Sequence, residues 1–320
     1  MFYEAALQKS GGLREQQYGQ VTEIYIILGY CIHSWAASSE SIMKTCRFHH
    51  FLACVALALA IPAVSLAETV YKFGVVPQFE PRKLSAVWSP ILTELEKRTG
   101  FKFLMVGSPR IPEFEAEFQA GRYDFAYMNP YHAVVAHGAQ KYEPIVRDGA
   151  EQLFGILVAS KEGTINEVRD LNGKTIAFPA PNAFGASLMT RAELDRQKVK
   201  FQPLWAQTHT SAYLNVALGK ADAAGGIMAT LKQQPQAVQD KLRIIFETRR
   251  TEPHPVMAHP RVPTADSEAV RKAFLDMAAT PEGAAMLAQI PMRQAVAASF
   301  DDYKVIRQMG LEKYYVKGGD

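Results

Sequence analysis

"KTIAFPAPNAFGASLM", residues 174–189, decides the fold. Lys174 to Phe178 is a short apolar run that reads as a strand, the prolines with Asn182 form a turn, and a helix opens near Gly185 and runs to Arg196. A strand, a turn of small residues and a helix start is where proteins hold anions, because free backbone N–H groups and the positive end of the helix dipole converge there. The side chains are unusual for such a cradle. Ala183, Phe184 and Gly185 come first, and only Ser187 carries a hydroxyl. "NGKT" (172–175) is no phosphate loop: the upstream glycine is missing and the turn precedes a strand.

Outward from this stretch the same unit repeats. "YKFGVV" (71–76) reads as a buried strand, after which Leu84, Val87, Trp88, Ile91, Leu92 and Leu95 recur at helical spacing until Gly100 stops the helix. "FKFLMV" (101–106) and "YDFAYM" (123–128) are further strands, with a short helix marked by Phe114 and Phe118 between them and another from Pro130 to Ala136. "FGILVAS" (154–160) continues the pattern. Past the opening stretch come "PLWAQT" (203–208) and a helix carrying Leu214, Ala217 and Leu218, closed by Gly219. The strands "ADAAGGI" (221–227) and "LRIIFET" (242–248) come next; "HPVMAH" (254–259) follows, then helices with Val270, Phe274 and Met277 on one face. Alternation of this kind implies an α/β protein with mostly parallel sheets flanked by helices, and ligands at the carboxyl ends of the strands. Proline-rich "TEPHPVMAHPRVP" (251–263) is the candidate crossing between lobes.

Composition narrows the function. A net charge of +3 on 320 residues, with Lys and Arg scattered, gives no basic stripe for nucleic acid. Cys31, Cys46 and Cys54 all precede Glu68, so the rest of the chain has no thiol for a disulfide, a zinc site or a nucleophile. No GxSxG, HExxH or GxGxxG motif occurs there either, and the Asp301–Asp302 pair reads as a solvated helix start. Neither a catalytic residue nor a resident cofactor or metal is expected.

Residues 43–67, "MKTCRFHHFLACVALALAIPAVSLA", read as a secretory signal peptide. Lys44 and Arg47 form the basic end, Phe51 to Val64 the apolar run, and Ser65 and Ala67 the small residues before the cut. The expectation is that Met43 is the true start and residues 1–42 are a non-native extension.

Five motifs in order carry a resemblance: "FGVVPQFEPRKLSAVWSPILTELEKRTGFKF", "GRYDFAYMNPYHAVVA", "DLNGKTIAF", "HTSAYLNVALGKADAA" and "HPVMAHP". Together they resemble the phosphate/phosphite/phosphonate-binding family of exported solute-binding proteins, from about Tyr71 to the C-terminal helices. The resemblance implies the two-lobed type II periplasmic-binding-protein fold: residues 70–150 and 250–316 in one lobe, 151–249 in the other, and two crossing segments. It also implies that Ala183, Phe184 and Gly185 stand where phosphonate binders carry a Ser-Thr-Ser run. The histidine opening the later helix is kept as His209, followed by Thr210 and Ser211. Two acidic positions of phosphonate binders correspond to Ala229 and His254, and the aromatic ending the third strand to Met128 or Tyr127.

The candidate ligand-binding set is therefore Phe79, Tyr127, Met128, Asn129, Tyr131, His132, Asn182, Phe184, Gly185, His209, Thr210, Ser211 and His254. Histidines suit an anion because they donate hydrogen bonds neutral or charged. The expected function is capture of a small polar solute, an oxyanion of the phosphate, phosphite or phosphonate type or a relative, by a periplasmic monomer. The partner is an ABC permease, or alternatively a sensor kinase. Metal capture by His132, His209 and His254, and an enzyme on the same fold, are further alternatives.

Overall fold

The structure, a computed structural model, describes residues 68–317; the expected extension and signal peptide lie outside the described residues. Eleven strands form two sheets among the described residues. The first sheet has six strands: β1 (Val70–Val75), β2 (Lys102–Val106), β3 (Phe125–Tyr127), β4 (Glu143–Asp148), β10 (Val256–Ala258) and β11 (Ala295–Ala297), in the order β11-β4-β10-β3-β1-β2. The second has five: β5 (Gly155–Ser160), β6 (Lys174–Phe178), β7 (Phe201–Trp205), β8 (Ala223–Ile227) and β9 (Leu242–Glu247), in the order β7-β6-β8-β5-β9. The helices in chain order are α1 (Pro81–Thr99), α2 (Ile111–Gln119), α3 (Pro130–Gln140), α4 (Thr190–Arg196), α5 (His209–Ala217), α6 (Met228–Lys232), α7 (Gln236–Gln239), α8 (Thr264–Ala278), α9 (Pro281–Leu287) and α10 (Lys304–Arg307). None of the described helices is long and apolar enough to cross a membrane.

The two-lobed α/β expectation holds, and the direction of the strands follows from how the chain passes between sheets. β1, β2 and β3 run parallel, as do β6, β7 and β8. β5 and β10 run antiparallel to both of their neighbours, so each sheet is mixed. Each of these two is the first strand after a crossing segment. It enters its sheet from the end at which its neighbours leave, and must run the other way. The crossing segments lie side by side, joined by reciprocal backbone bonds: Leu153 N–H to Thr251 O (2.9 Å) and Thr251 N–H to Leu153 O (2.8 Å). Arg147, at the end of β4, pairs with Glu252 (3.0 Å) and Asp302 (3.4 Å) beside them.

Helix α1 has the expected apolar face, burying Leu84, Trp88, Ile91, Leu92 and Leu95, and ends at Gly100 in the left-handed conformation (φ 74°). Full burial of such side chains is worth about 1.5–3 kcal/mol each. Two strands escape a reading by pattern: β4, which opens with a charged residue and a proline, and the three-residue β11. In α5 the buried face is His209, Ala212, Tyr213 and Val216; Leu218, expected on that face, lies beyond the helix and is exposed.

The helix that opens the second lobe begins as six residues of π-helix, Phe184–Met189, before α4. Its backbone lies directly on the sheet. A Cβ on Gly155 would collide with Gly185 O, and one on Gly225 with Ala186 O. Gly155 on β5 and Gly225 on β8 thus let the anion-type turn sit against the sheet, while Gly226 makes room for the Tyr213 hydroxyl.

Candidate functional site

The turn between β6 and the π-helix supplies backbone donors. Ser187 N–H and Leu188 N–H both bond Ala183 O (2.7 and 3.1 Å), which is where the helical ladder starts. Phe184, Gly185 and Ala186 N–H come before it and find no acceptor among the described residues. Such orphan donors belong to every helix start and are met by water or a ligand. The three residues that carry them line a small recess of about 20 Å³, together with Gln78, Ile111, Asn129, His209, Ile227 and His254. That volume admits about one water molecule.

Each histidine of the recess is fixed by its neighbours. His209 is the first residue of α5, whose N-terminus is capped by Thr208 Oγ1 accepting from Ser211 N–H (3.0 Å). Its Nδ1 lies 3.1 Å from Thr230 Oγ1, which in turn meets Tyr213 OH at 2.9 Å. His254 sits in the second crossing segment, stacked on Tyr127 at 5.3 Å, with its Nε2 3.2 Å from the Gln78 amide nitrogen. Burial pushes both histidines down to about 3, and for His254 the nearness of two other imidazoles adds to that effect. Both rings are therefore neutral at pH 7. With the Gln78 amide donating to Nε2, the neutral His254 ring carries its proton on Nδ1, which has no protein acceptor among the described residues.

Next to the recess, and sharing Gln78, Ile227 and His254 with it, lies a cavity of about 490 Å³. Its inner wall is aromatic: Trp88 packs on Tyr127 at 5.0 Å, and Phe79 carries the Lys83 ammonium 3.7 Å above its ring. Lys83 has no carboxylate within ion-pair distance among the described residues, and burial pulls its pKa down against the opposing pull of Glu80. Lys232 and Arg250 line it as well, Arg250 paired with Glu247 at 3.2 Å. Sequence reasoning missed Lys83, yet a signal existed. Arg82 and Lys83 occupy the first turn of α1, which has no acidic residue, although cations are disfavoured at that end of a helix.

The structure brings together five of the sequence candidates at the recess: Asn129, Phe184, Gly185, His209 and His254. Phe79 and Tyr127 line the larger cavity. The other six line neither. Met128 is wholly buried in the first sheet's core, and Tyr131 packs on Tyr315 at 5.3 Å. Thr210 and Ser211 face along the first turn of α5, where the Thr208 hydroxyl donates to Ser211 Oγ. His132 is buried with its Nε2 2.8 Å from Glu115 Oε1, a residue the sequence pattern did not single out. Asn182 donates to Glu115 Oε2 (2.8 Å) and accepts from Val316 N–H (2.9 Å). Glu115 thus ties α2 and α3 of one lobe to the β6 turn of the other. No group of three or more His, Cys, Asp or Glu side chains suited to a metal ion occurs among the described residues.

A family described as the periplasmic substrate-binding protein of phosphonate ABC transporters matches residues 73–303 of this chain. The chain belongs to that family. Its members are solute-binding components of ABC transporters, not enzymes. The chain is 22% identical over 264 residues to the phosphonates-binding periplasmic protein of Escherichia coli K12, covering 77% of each. It is 28% identical over 211 residues to the phosphate-import protein PhnD of Mycolicibacterium smegmatis, covering 55% of this chain and 65% of that one. Among solved structures, PhnD1 of Prochlorococcus marinus in complex with methylphosphonate is similar with a TM-score of 0.71 at 15% identity, over 78% of this chain and 99% of that one. At that identity the likeness establishes the fold, that of the type II periplasmic binding proteins.

Proposed function

We propose that this chain is an exported binding protein that captures a small oxyanion of the phosphate, phosphite or phosphonate type between its lobes and delivers it to an ABC permease. The observation that carries this reading is the convergence of three free N–H groups, from Phe184, Gly185 and Ala186, with His209 and His254 on one recess. Neutral donors replace the lost hydroxyl run. Hydrogen bonds to a charged group are worth about 1.5–3 kcal/mol each, so a handful suffices for tight capture.

The recess draws on both lobes. Phe184, Gly185 and His209 come from the second lobe, Gln78 and Asn129 from the first, and His254 from a crossing segment. Separating the lobes opens it, and an anion that bridges them favours closure by its differential affinity. The lobe boundaries at residues 70–150 with 250–316 and at 151–249, the cleavable signal at 43–67, and a monomeric state complete the proposal. The relatives favour transport over the sensory alternative.

The test is thermal unfolding of the full chain with phosphate, phosphite, methylphosphonate and sulfate. An anion at 100 times its Kd should add about 2.7 kcal/mol of stability. If none of the phosphorus oxyanions raises the unfolding temperature, the reading fails.

A further inference from the structure

Resting on the oxyanion reading, we propose that the physiological ligand carries an apolar organic substituent, such as an aryl or branched alkyl group, on its anionic head. The head lies at the seam of Gln78 and His254, and the substituent fills the neighbouring cavity. The two spaces share Gln78, Ile227 and His254 in their linings, so the head and the substituent of one ligand would meet at these three residues.

Size is the first reason. A cavity of about 490 Å³ falls within the range of roughly 300–1,000 Å³ that organic ligands occupy, far beyond the need of a bare oxyanion. The wall chemistry is the second. Leu84, Val87, Trp88 and Ile227 line the cavity with Met228 and Ile290. A phosphate alone would leave these surfaces against water when the lobes close, whereas an apolar group removes them from it. Charge is the third reason. Glu151 is the one carboxylate among the described lining residues, and it faces Arg293 at 3.5 Å. Lys83 lines the same cavity with no carboxylate partner among the described residues. An ammonium on the substituent finds no free counter-charge and meets a cation, so the substituent is uncharged.

The experiment compares inorganic phosphate, methylphosphonate, 2-aminoethylphosphonate and benzylphosphonate by titration calorimetry on the full chain. Benzylphosphonate is expected to bind at least about tenfold tighter than methylphosphonate, from the apolar area it buries. 2-Aminoethylphosphonate is expected to be no tighter than methylphosphonate. Val87→Phe and Ala229→Trp, which fill the cavity from different lobes, should bring the benzyl-to-methyl affinity ratio down to about one. Should methylphosphonate or phosphate bind while benzylphosphonate binds equally or more weakly, the inference is overturned and the oxyanion reading stands. Tightest binding of 2-aminoethylphosphonate overturns it as well. If no anion binds, the oxyanion reading falls first and this inference with it.

Discussion

His132 and His254 are both buried, both stand beside the interlobe seam, and both lie within reach of an asparagine or glutamine amide. They differ in one partner. His132 has Glu115 at 2.8 Å, while His254 has a neutral amide and the face of Tyr127. The carboxylate holds His132 through Nε2 and makes it a tie between elements; its Nδ1 is buried with no partner among the described residues, but the ring lines neither the recess nor the cavity. A buried imidazole without a carboxylate keeps a donor in reserve, which an incoming anion can use. The local sequence around the two histidines does not reveal this difference; the carboxylate comes from another helix.

The largest expected effect comes from removing that carboxylate. Glu115→Ala leaves His132 and the Asn182 amide short of a buried partner, and should cost about 3–5 kcal/mol in urea unfolding. Anion affinity should survive in the folded fraction; an intact stability with abolished binding would break the contrast. His209→Gln and His254→Gln should do the reverse, weakening anion binding by about 1.5–3 kcal/mol each with little change in stability, as read by calorimetry.

The pH dependence of the unliganded protein sharpens the same comparison. His209 and His254 stay neutral in the fold down to about 3, whereas in the unfolded chain they take up a proton near the ordinary histidine value of 6.5. Because the unfolded state binds more protons between those limits, their contribution is fully present above pH 6.5 and is lost as pH falls towards 3. Thermal unfolding between pH 7 and pH 4 should show this decline, and the His209→Gln/His254→Gln double variant should flatten it. The smallest effect is reserved for the lysine over Phe79. Lys83→Met should reduce anion affinity by about 0.2–1 kcal/mol and make it less sensitive to salt.

The fold was legible in the sequence wherever one element carried its own pattern. The α1 stripe from Leu84 to Leu95, with Gly100 as its stop, needs nothing from the rest of the chain. β4 was not legible, since Glu143 and Pro144 open it and its burial comes from β10 and β11 on either side. The same division runs through the site. Phe184, Gly185 and His209 are placed by local strand–turn–helix geometry and could be read directly. His132 is withdrawn by Glu115, 17 residues away on another helix, and Lys83 is brought to the cavity by the packing of α1. Neither fact has a local signature, apart from the misplaced positive charge at the start of α1.

The paired crossing segments carry one further consequence. Leu153 and Thr251 bond each other in both directions, so the two strands of chain between the lobes form a short ribbon rather than two independent strings. A ribbon flexes readily out of its plane and resists shear within it. Under the proposed function, a paired ribbon of this kind favours bending about one line over shear, so opening between the lobes is expected to follow a single arc.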